Sequence, residues 1–231
     1  MTGSAIVLAG GFGTRLQKVV SELPKPMAPV AGKPFLQYVL DYLGKQGIDT
    51  AILAVGYLRN TIIEYFGDEY NGLIIKYSAE DEPLGTGGAI KQACAMADGE
   101  NVFVINGDTF FDVDLAQLFR FHISNQALLS VALKRMEKFD RYGTVEINDR
   151  NKITGFREKE YLDEGLINGG VYCLNKNIFP DSIPQKFSFE TEILEKEIKT
   201  GKIFGLESKG YFIDIGIPED YEKAQTDFID V

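Results

Sequence analysis

The sequence predicts an α/β fold built on a mostly parallel, doubly wound sheet with helices on both faces. Two observations carry this reading: short, continuously apolar, β-branched runs recur along the first half of the chain, and segments of helical period separate them. Residues 5–9 (AIVLA) form the first run, the pattern of a strand buried on both faces, and it ends in a glycine cluster. After that loop Pro34 precedes FLQYVLDYLGKQG, where Phe35, Val39, Tyr42 and Leu43 follow a helical period and Gly47 ends it. Residues 50–55 (TAILAV) predict the next strand, 59–66 a helix closed by Gly67, 73–78 a strand, 88–97 a helix and 102–105 another buried strand.

Beyond residue 108 the rhythm changes. A helix is expected over 115–122, then strands over 127–134, 143–147, 152–157 and 167–174 in quick succession, the pattern of antiparallel hairpins. Ser188 is a suitable N-cap for a helix reaching Lys199, and a terminal helix is expected from Glu219. No Pro- or Ser-rich linker, repeat or low-complexity segment divides the chain. One domain over 1–231 is therefore expected, with a nucleotide-sized half over 1–108 and a second half over 109–231 that lays extra strands against it to form a cleft. Ligands of such sheets sit beyond the carboxyl ends of the strands.

The 231 residues include 24 Lys plus Arg and 34 Asp plus Glu, a formal net charge of −10, and 45% are apolar. This composition excludes disordered and fibrous classes, and the charge argues against nucleic acid or an anionic membrane as partner. A small phosphate ligand in a local basic groove remains compatible. Cys94 and Cys173 are far apart and in no zinc or disulfide spacing, which suits a reducing cytoplasm. The first residues lack a basic region and a signal-length apolar run, and no stretch approaches about 18 apolar residues. His122 is the only histidine, so mechanisms needing two imidazoles are excluded; in LFRFHISNQ it reads as a surface helix residue. Phe110, Phe111, Phe119 and Phe121 read as core.

The first strand runs into Gly10-Gly11-Phe12-Gly13-Thr14-Arg15-Leu16, and Lys25 follows within Pro24-Lys25-Pro26-Met27. The glycines let backbone N–H groups turn toward an anion, while Arg15 and Lys25 add positive charge, an arrangement suited to a polyphosphate. The segment lacks the third glycine of a dinucleotide fingerprint, and nothing matches GxxxxGK[ST]. A tight turn accounts for the glycines but not for Arg15 and PKP together. Asp108 follows a buried strand and Gly107, where its carboxylate can face the cleft as a hard oxygen ligand or simply form a turn. Asp214 interrupts the apolar FIDIG, which is costly unless it is paired or binds metal.

On these motifs the chain resembles the sugar-1-phosphate nucleotidyltransferases, whose opening strand, GGxGTRL and PKPM stand here from Leu8 to Met27. EDEPLGTGGA, NGD, YG, EK, NGG and DIG follow in the family's order over essentially the whole chain. The resemblance implies a Rossmann-like sheet with an inserted antiparallel sugar-binding region, and magnesium as cofactor. It further implies that Leu8, Ala9, Gly10, Gly11, Gly13, Thr14, Glu80, Pro83, Gly85 and Thr86 meet the nucleotide. Arg15, Lys25 and Asp108 would be catalytic, and Asp108 and Asp214 would hold the metal. Tyr142, Gly143, Glu158, Lys159, Asn168 and Gly169 would form the sugar-phosphate side, Glu158 receiving hydroxyls and Lys159 the phosphate. An exposed ion pair is the plain alternative for Glu158 and Lys159, and an ordinary bulge for Asn168 to Gly170. The run from Gly85 to Ala89 opens a predicted helix whose N–H groups are candidates for base or phosphate.

The implied reaction is attack by a sugar 1-phosphate on the α-phosphorus of a nucleoside triphosphate. Glu80, acceptor-only, matches the adjacent N1–H and N2–H₂ donors of guanine, favouring GTP. Within the family, PKPMAPVAGKPFLQYVLDYL, NGDTFFD and KFSFE are similar to members acting on a heptose 1-phosphate. Guanylyl or uridylyl transfer to mannose, glucose or another hexose 1-phosphate is the alternative. A non-catalytic nucleotide-sugar sensor would be expected to lack Lys25, Asp108 or Asp214, and all three are present. Relatives often dimerise, which makes a homodimer the expected assembly, although no stripe marks an interface.

Overall fold

The computed structural model describes residues 3–11 and 23–229. The chain runs through β1 (Ser4–Leu8), the hairpin strands β2 (Pro29–Val30) and β3 (Lys33–Pro34), α1 (Phe35–Lys45), β4 (Thr50–Val55) and α2 (Arg59–Phe66). It continues with β5 (Glu69–Tyr70), β6 (Leu73–Ala79), α3 (Gly85–Cys94), β7 (Asn101–Asn106), β8 (Thr109–Phe111) and α4 (Leu115–Ser124). Then come β9 (Leu129–Phe139), β10 (Thr144–Ile147), β11 (Ile153–Arg157) and β12 (Leu162–Asn175). An irregular helical stretch follows: a π-helical turn Glu190–Leu194, α5 (Glu195–Glu197) and a 3-10 turn Ile198–Thr200. Beyond it lie β13 (Ile203–Ser208), β14 (Phe212–Asp214) and α6 (Pro218–Asp227).

The expected parallel sheet is present, with β7, β1, β4 and β6 side by side and parallel. The apolar runs are continuous because both faces are covered. Ala5 and Val7 join the core under α1, α2, α4 and α6, whereas Ile6 joins the core under α3 and the 190–200 helix. The chain winds outward from β1 to β4 and β6, then α3 returns it to the other side of β1 as β7. The winding direction therefore reverses between β1 and β7, where ligands of open α/β sheets bind.

The later strands extend the same sheet. Residues Val171 to Asn175 of β12 pair antiparallel with β7, and β12 also carries β9 and β10, which in turn hold β13 and β11. The predicted strands 127–134 and 167–174 fall in β9 and β12, both longer than expected. The helix expected over 88–97 begins earlier, at Gly85, and ends at Cys94. Ser188 does accept from the Thr191 amide at 3.2 Å as a cap would, but the helix it opens is broken into three geometries. β13 and β8 were not expected from local pattern, whereas β14 falls where FIDIG reads as an apolar strand. The Phe110 ring packs edge-on to Tyr42 and Phe228, and Phe111 is buried, as their reading as core requires.

His122 corrects the sequence reading: it is 1% exposed, not a surface residue. Its Nε2–H faces the Asn101 Oδ1 at 3.1 Å, leaving Nδ1 to accept from the Ser130 hydroxyl at 3.0 Å. Both partners come from strands covered by α4, so the polar ring is satisfied inside the core, at the amino end of β7 away from the cleft. Burial pushes the His122 imidazole down to about 4. Because the unfolded chain binds this proton near 6.5 and the folded one only near 4, the contribution is full above 6.5 and is lost as pH falls between those values. About 3 kcal/mol of stability should disappear across that window. Urea midpoints from pH 7 to pH 4 should show it in the native protein and a flatter curve in His122→Gln.

Candidate active site

The site begins where β1 and β7 end side by side. The Gly107 N–H donates to the Leu8 carbonyl at 3.0 Å, and a Cβ on Gly107 would lie 2.6 Å from that oxygen. Only glycine lets the chain turn so closely off β7, and the turn delivers Asp108 to the cleft. The β8–β14 ribbon sets Asp214 opposite Thr109, and the Ile215 N–H donates to the Asp108 carbonyl at 3.1 Å. Two carboxylates 106 positions apart in sequence are thus fixed on one wall.

Lys25 reaches them from a 3-10 turn held by Pro24 and by the buried Pro26 and Met27. Its Nζ lies 2.5 Å from Asp108 Oδ2 and 3.9 Å from Asp214 Oδ1. Asp214 Oδ1 also accepts from the Gly216 N–H at 2.8 Å. A side chain on Gly216 would collide with Lys25 Nζ, so this position must stay bare for the lysine to lie there. The Asp214 carboxyl is held above its usual range by burial first and by Asp108 second, with Lys25 and the Gly216 N–H pulling the other way. Two carboxylates converging where an ammonium sits form a donor set that fits a hard divalent cation, with phosphate oxygens and water for the remaining positions. Among the described residues no group of three or more His, Cys, Asp or Glu forms a closed metal cage.

Three cavities follow the carboxyl edge of the sheet. The middle one, 410 Å³, is lined by Leu8, Gly11, Lys25, Thr86, Asp108 and Asp214 among others. On one side a smaller cavity of 190 Å³ holds Gly10, Gly56, Glu80 and Pro83. Glu80 Oε2 accepts from the Leu84 N–H at 2.8 Å, which fixes the carboxylate, while Oε1 lies against Gly10. Ala9 is fully buried and binds Ala54 through its backbone, so it offers no side chain to a ligand.

The glycines of GTGG permit close packing within the protein. The Gly87 N–H donates to the Phe187 carbonyl at 3.0 Å, and side chains on Gly87 or Gly88 would collide with the Phe187 ring or the Gln185 carbonyl. Gly85, at φ +73°, lies under the Phe187 backbone in the same way. The start of α3 is thus a docking surface for residues 185–190, and its Gly87 N–H is spent on protein. Thr86 alone of this run lines the middle cavity.

The largest cavity, 830 Å³, shares Asn106, Thr109, Glu190 and Asp214 with the middle one. Tyr142, Gly143, Lys159, Asn168 and Gly169 line it, whereas Glu158 is exposed and lines none of the three cavities. The bulge is real: pairing with β9 shifts between Asn168 and Tyr172, and Gly170 stands at φ +72°. Asn168 donates to the Tyr172 hydroxyl at 2.8 Å and accepts from the Gly170 N–H at 3.0 Å, so it shapes the bulge it stands on. The Tyr142 hydroxyl is pushed up by burial and then by Asp214 and Asp220. Gly13, Thr14 and Arg15 lie outside the described residues. Sequence reasoning missed Glu190, although KFSFE ends on it, and Asn106, although it opens NGD.

Residues 4–230 match the family described as Nucleotidyl transferase. A D-glycero-alpha-D-manno-heptose 1-phosphate guanylyltransferase of Aneurinibacillus thermoaerophilus is 57% identical over 222 residues, 96% of each chain. One of Campylobacter jejuni is 50% identical over 218 residues, 94% of this chain and 96% of that one. The structure of HddC from Yersinia pseudotuberculosis complexed with GMP-PN superposes with a TM-score of 0.86 at 38% identity, covering 99% of this chain and 100% of that one. With this match along its length and with Lys25, Asp108 and Asp214 gathered at the switch point of its sheet, the chain belongs to the nucleotidyl transferase family.

Proposed function

We propose that the protein transfers the guanylyl group of GTP to D-glycero-α-D-manno-heptose 1-phosphate, forming GDP-heptose and releasing pyrophosphate. The observation that carries the reading is the Lys25–Asp108–Asp214 cluster on the wall between a nucleotide-sized chain of cavities and a larger one. The identity of the sugar rests on the two heptose relatives. GTP rests on those names, on the GMP-PN complex of HddC and on the acceptor Glu80.

A phosphate oxygen of the sugar 1-phosphate attacks the α-phosphorus, a new P–O bond forms, and the bond to the β-phosphate oxygen breaks with pyrophosphate as leaving group. The nucleophile is already anionic at neutral pH, so no base has to take a proton. This agrees with a lone histidine buried away from the cleft. The chain's own contribution is positioning and charge. Glu80 orients the base, Lys25 brings a positive charge to the phosphates, and Asn168 with the Gly169 backbone fixes the sugar beside them. Mg²⁺ held by Asp108 and Asp214 would neutralise phosphate charge that otherwise keeps the two anions apart. The continuous sheet supports reading residues 1–231 as one domain. The buried thiols Cys94 and Cys173 suit a cytoplasmic enzyme, and a homodimer rests on the family resemblance alone.

The test is pyrophosphate release with Mg²⁺, crossing five nucleoside triphosphates against heptose, mannose and glucose 1-phosphates. Selective use of GTP with the heptose phosphate is expected, and a preference for another pair would overturn the specificity. Lys25→Ala and Asp108→Asn should each lose about 3 to 4 kcal/mol of barrier lowering, roughly 10²- to 10³-fold in turnover, while staying folded. Near-normal rates in both would remove the site assignment. Glu80→Gln should reduce kcat/KM for GTP by about tenfold and narrow the preference over UTP, read by competing the two nucleotides. Gly216→Ala, by displacing Lys25, should slow turnover about tenfold or more with little change in thermal midpoint.

A further inference from the structure

Glu190 stands where the middle and largest cavities meet, on the wall it shares with Asn106, Thr109 and Asp214. Its carboxylate is held in place. Oε2 accepts from the Thr86 hydroxyl at 2.8 Å and from the Ser188 hydroxyl at 2.9 Å, and Thr86 Oγ1 in turn accepts from the Phe189 N–H at 2.9 Å. Thr86 opens α3 and Ser188 opens the 190–200 helix, so two elements clamp one oxygen. Glycines at 85, 87 and 88 make this clamp possible by letting residues 185–190 lie directly on α3.

The other oxygen, Oε1, makes none of these bonds and keeps its acceptor capacity. An ionised carboxylate accepts only, and on a cavity wall that also carries Asp108 and Asp214 it adds negative charge, which does not favour binding a phosphate directly. A ligand hydroxyl is what it can take. Glu190 also lies near the bulge of the largest cavity: burial first and the Glu190 charge second push up the hydroxyl of Tyr172, to which Asn168 donates. It is absent from Glu80's cavity and lines both the middle and the largest ones, so it faces the phosphates and the acceptor sugar rather than the base.

We infer that Glu190 is a specificity residue for the sugar, accepting a hydrogen bond through Oε1 from the hydroxyl next to the phosphate-bearing carbon. This rests on the nucleotidyl transfer proposed above but not on which sugar is used. In Glu190→Gln the amide oxygen keeps one acceptor for Thr86 and Ser188, while the amide nitrogen replaces the acceptor offered to the sugar. Loss of a hydrogen bond to a charged group predicts a rise of about tenfold in KM for the sugar 1-phosphate, with KM for GTP unchanged. A role limited to joining α3 to residues 185–190 predicts instead a lower thermal midpoint, or equal changes for both substrates.

The experiment measures both KM values and thermal midpoints for wild type and Glu190→Gln. It uses whichever sugar 1-phosphate the wild type turns over, together with its 2-deoxy analogue. Removing the hydroxyl should raise KM for the wild type and leave Glu190→Gln nearly indifferent. An unchanged sugar KM in Glu190→Gln, or deoxy and mutant effects that simply multiply, overturns the assignment to Glu190. Rise of the GTP KM alone assigns the residue to the ribose and also overturns it. Wild-type turnover of a hexose phosphate in place of the heptose phosphate revises the substrate and leaves this inference standing, whereas no turnover with any sugar 1-phosphate removes both.

Discussion

The pairing of Thr109 with Asp214 in the β8–β14 ribbon is the constraint on which the site depends. Six residues of strand hold together parts of the chain more than a hundred positions apart. Asp214, costly as an isolated charge in an apolar run, is tolerable there because Lys25 and the Gly216 N–H face it. Lys25 in turn is tolerable between two prolines because Asp108 and Asp214 receive its charge. Each of the three groups makes the placement of the other two affordable, and the ribbon keeps them at one point. An arrangement fixed before substrate arrives needs little reorganisation during reaction, which is where electrostatic catalysis gains its advantage.

The surrounding glycines serve close approach more than flexibility. Gly107 lets the end of β7 turn against Leu8, and Gly216 leaves room for the Lys25 ammonium. Gly85, Gly87 and Gly88 let the segment 185–190 lie on α3, carrying Glu190 to the junction of two cavities. α6 then ties the end of the chain back to its beginning. The Tyr221 hydroxyl donates to the Pro29 carbonyl at 2.7 Å, and Gln225 accepts from the Ala31 N–H at 3.0 Å. Pro29 follows the Lys25 turn closely, so this helix braces the same turn that presents the lysine.

Much of this was legible in local pattern. β1, β4, β6 and β7 read clearly because both faces are covered and their runs are continuously apolar. α1 read clearly because one stripe is buried and a glycine follows it. Asp108 and Asp214 stood out because charge in or beside an apolar strand is costly enough to require a purpose, and Lys25 because the glycine run and Arg15 precede its PKP turn. β13 was missed because its glycine, Gly205, breaks the strand pattern where it packs against Leu133. His122 was misread because a polar ring on an otherwise apolar helix face resembles a surface residue until its partners, Ser130 and Asn101, are seen.

The sequence alone determined which runs form the buried parallel strands of the first half and in what order they occur, since these follow from hydrophobic period and from the local conformations that glycine and proline permit. It also determined the chemical types present: an acceptor at position 80, an ammonium at 25 and carboxylates at 108 and 214. Only the tertiary structure decided which of them meet. Contacts between residues 25, 108 and 214, or between 86 and 190, depend on strand order and on the docking of distant segments, and no local periodicity encodes a distance between them. The GTGG run shows the difference most plainly. The Gly87 N–H, a candidate for base or phosphate in the sequence, donates to the Phe187 carbonyl once residues 185–190 dock on α3.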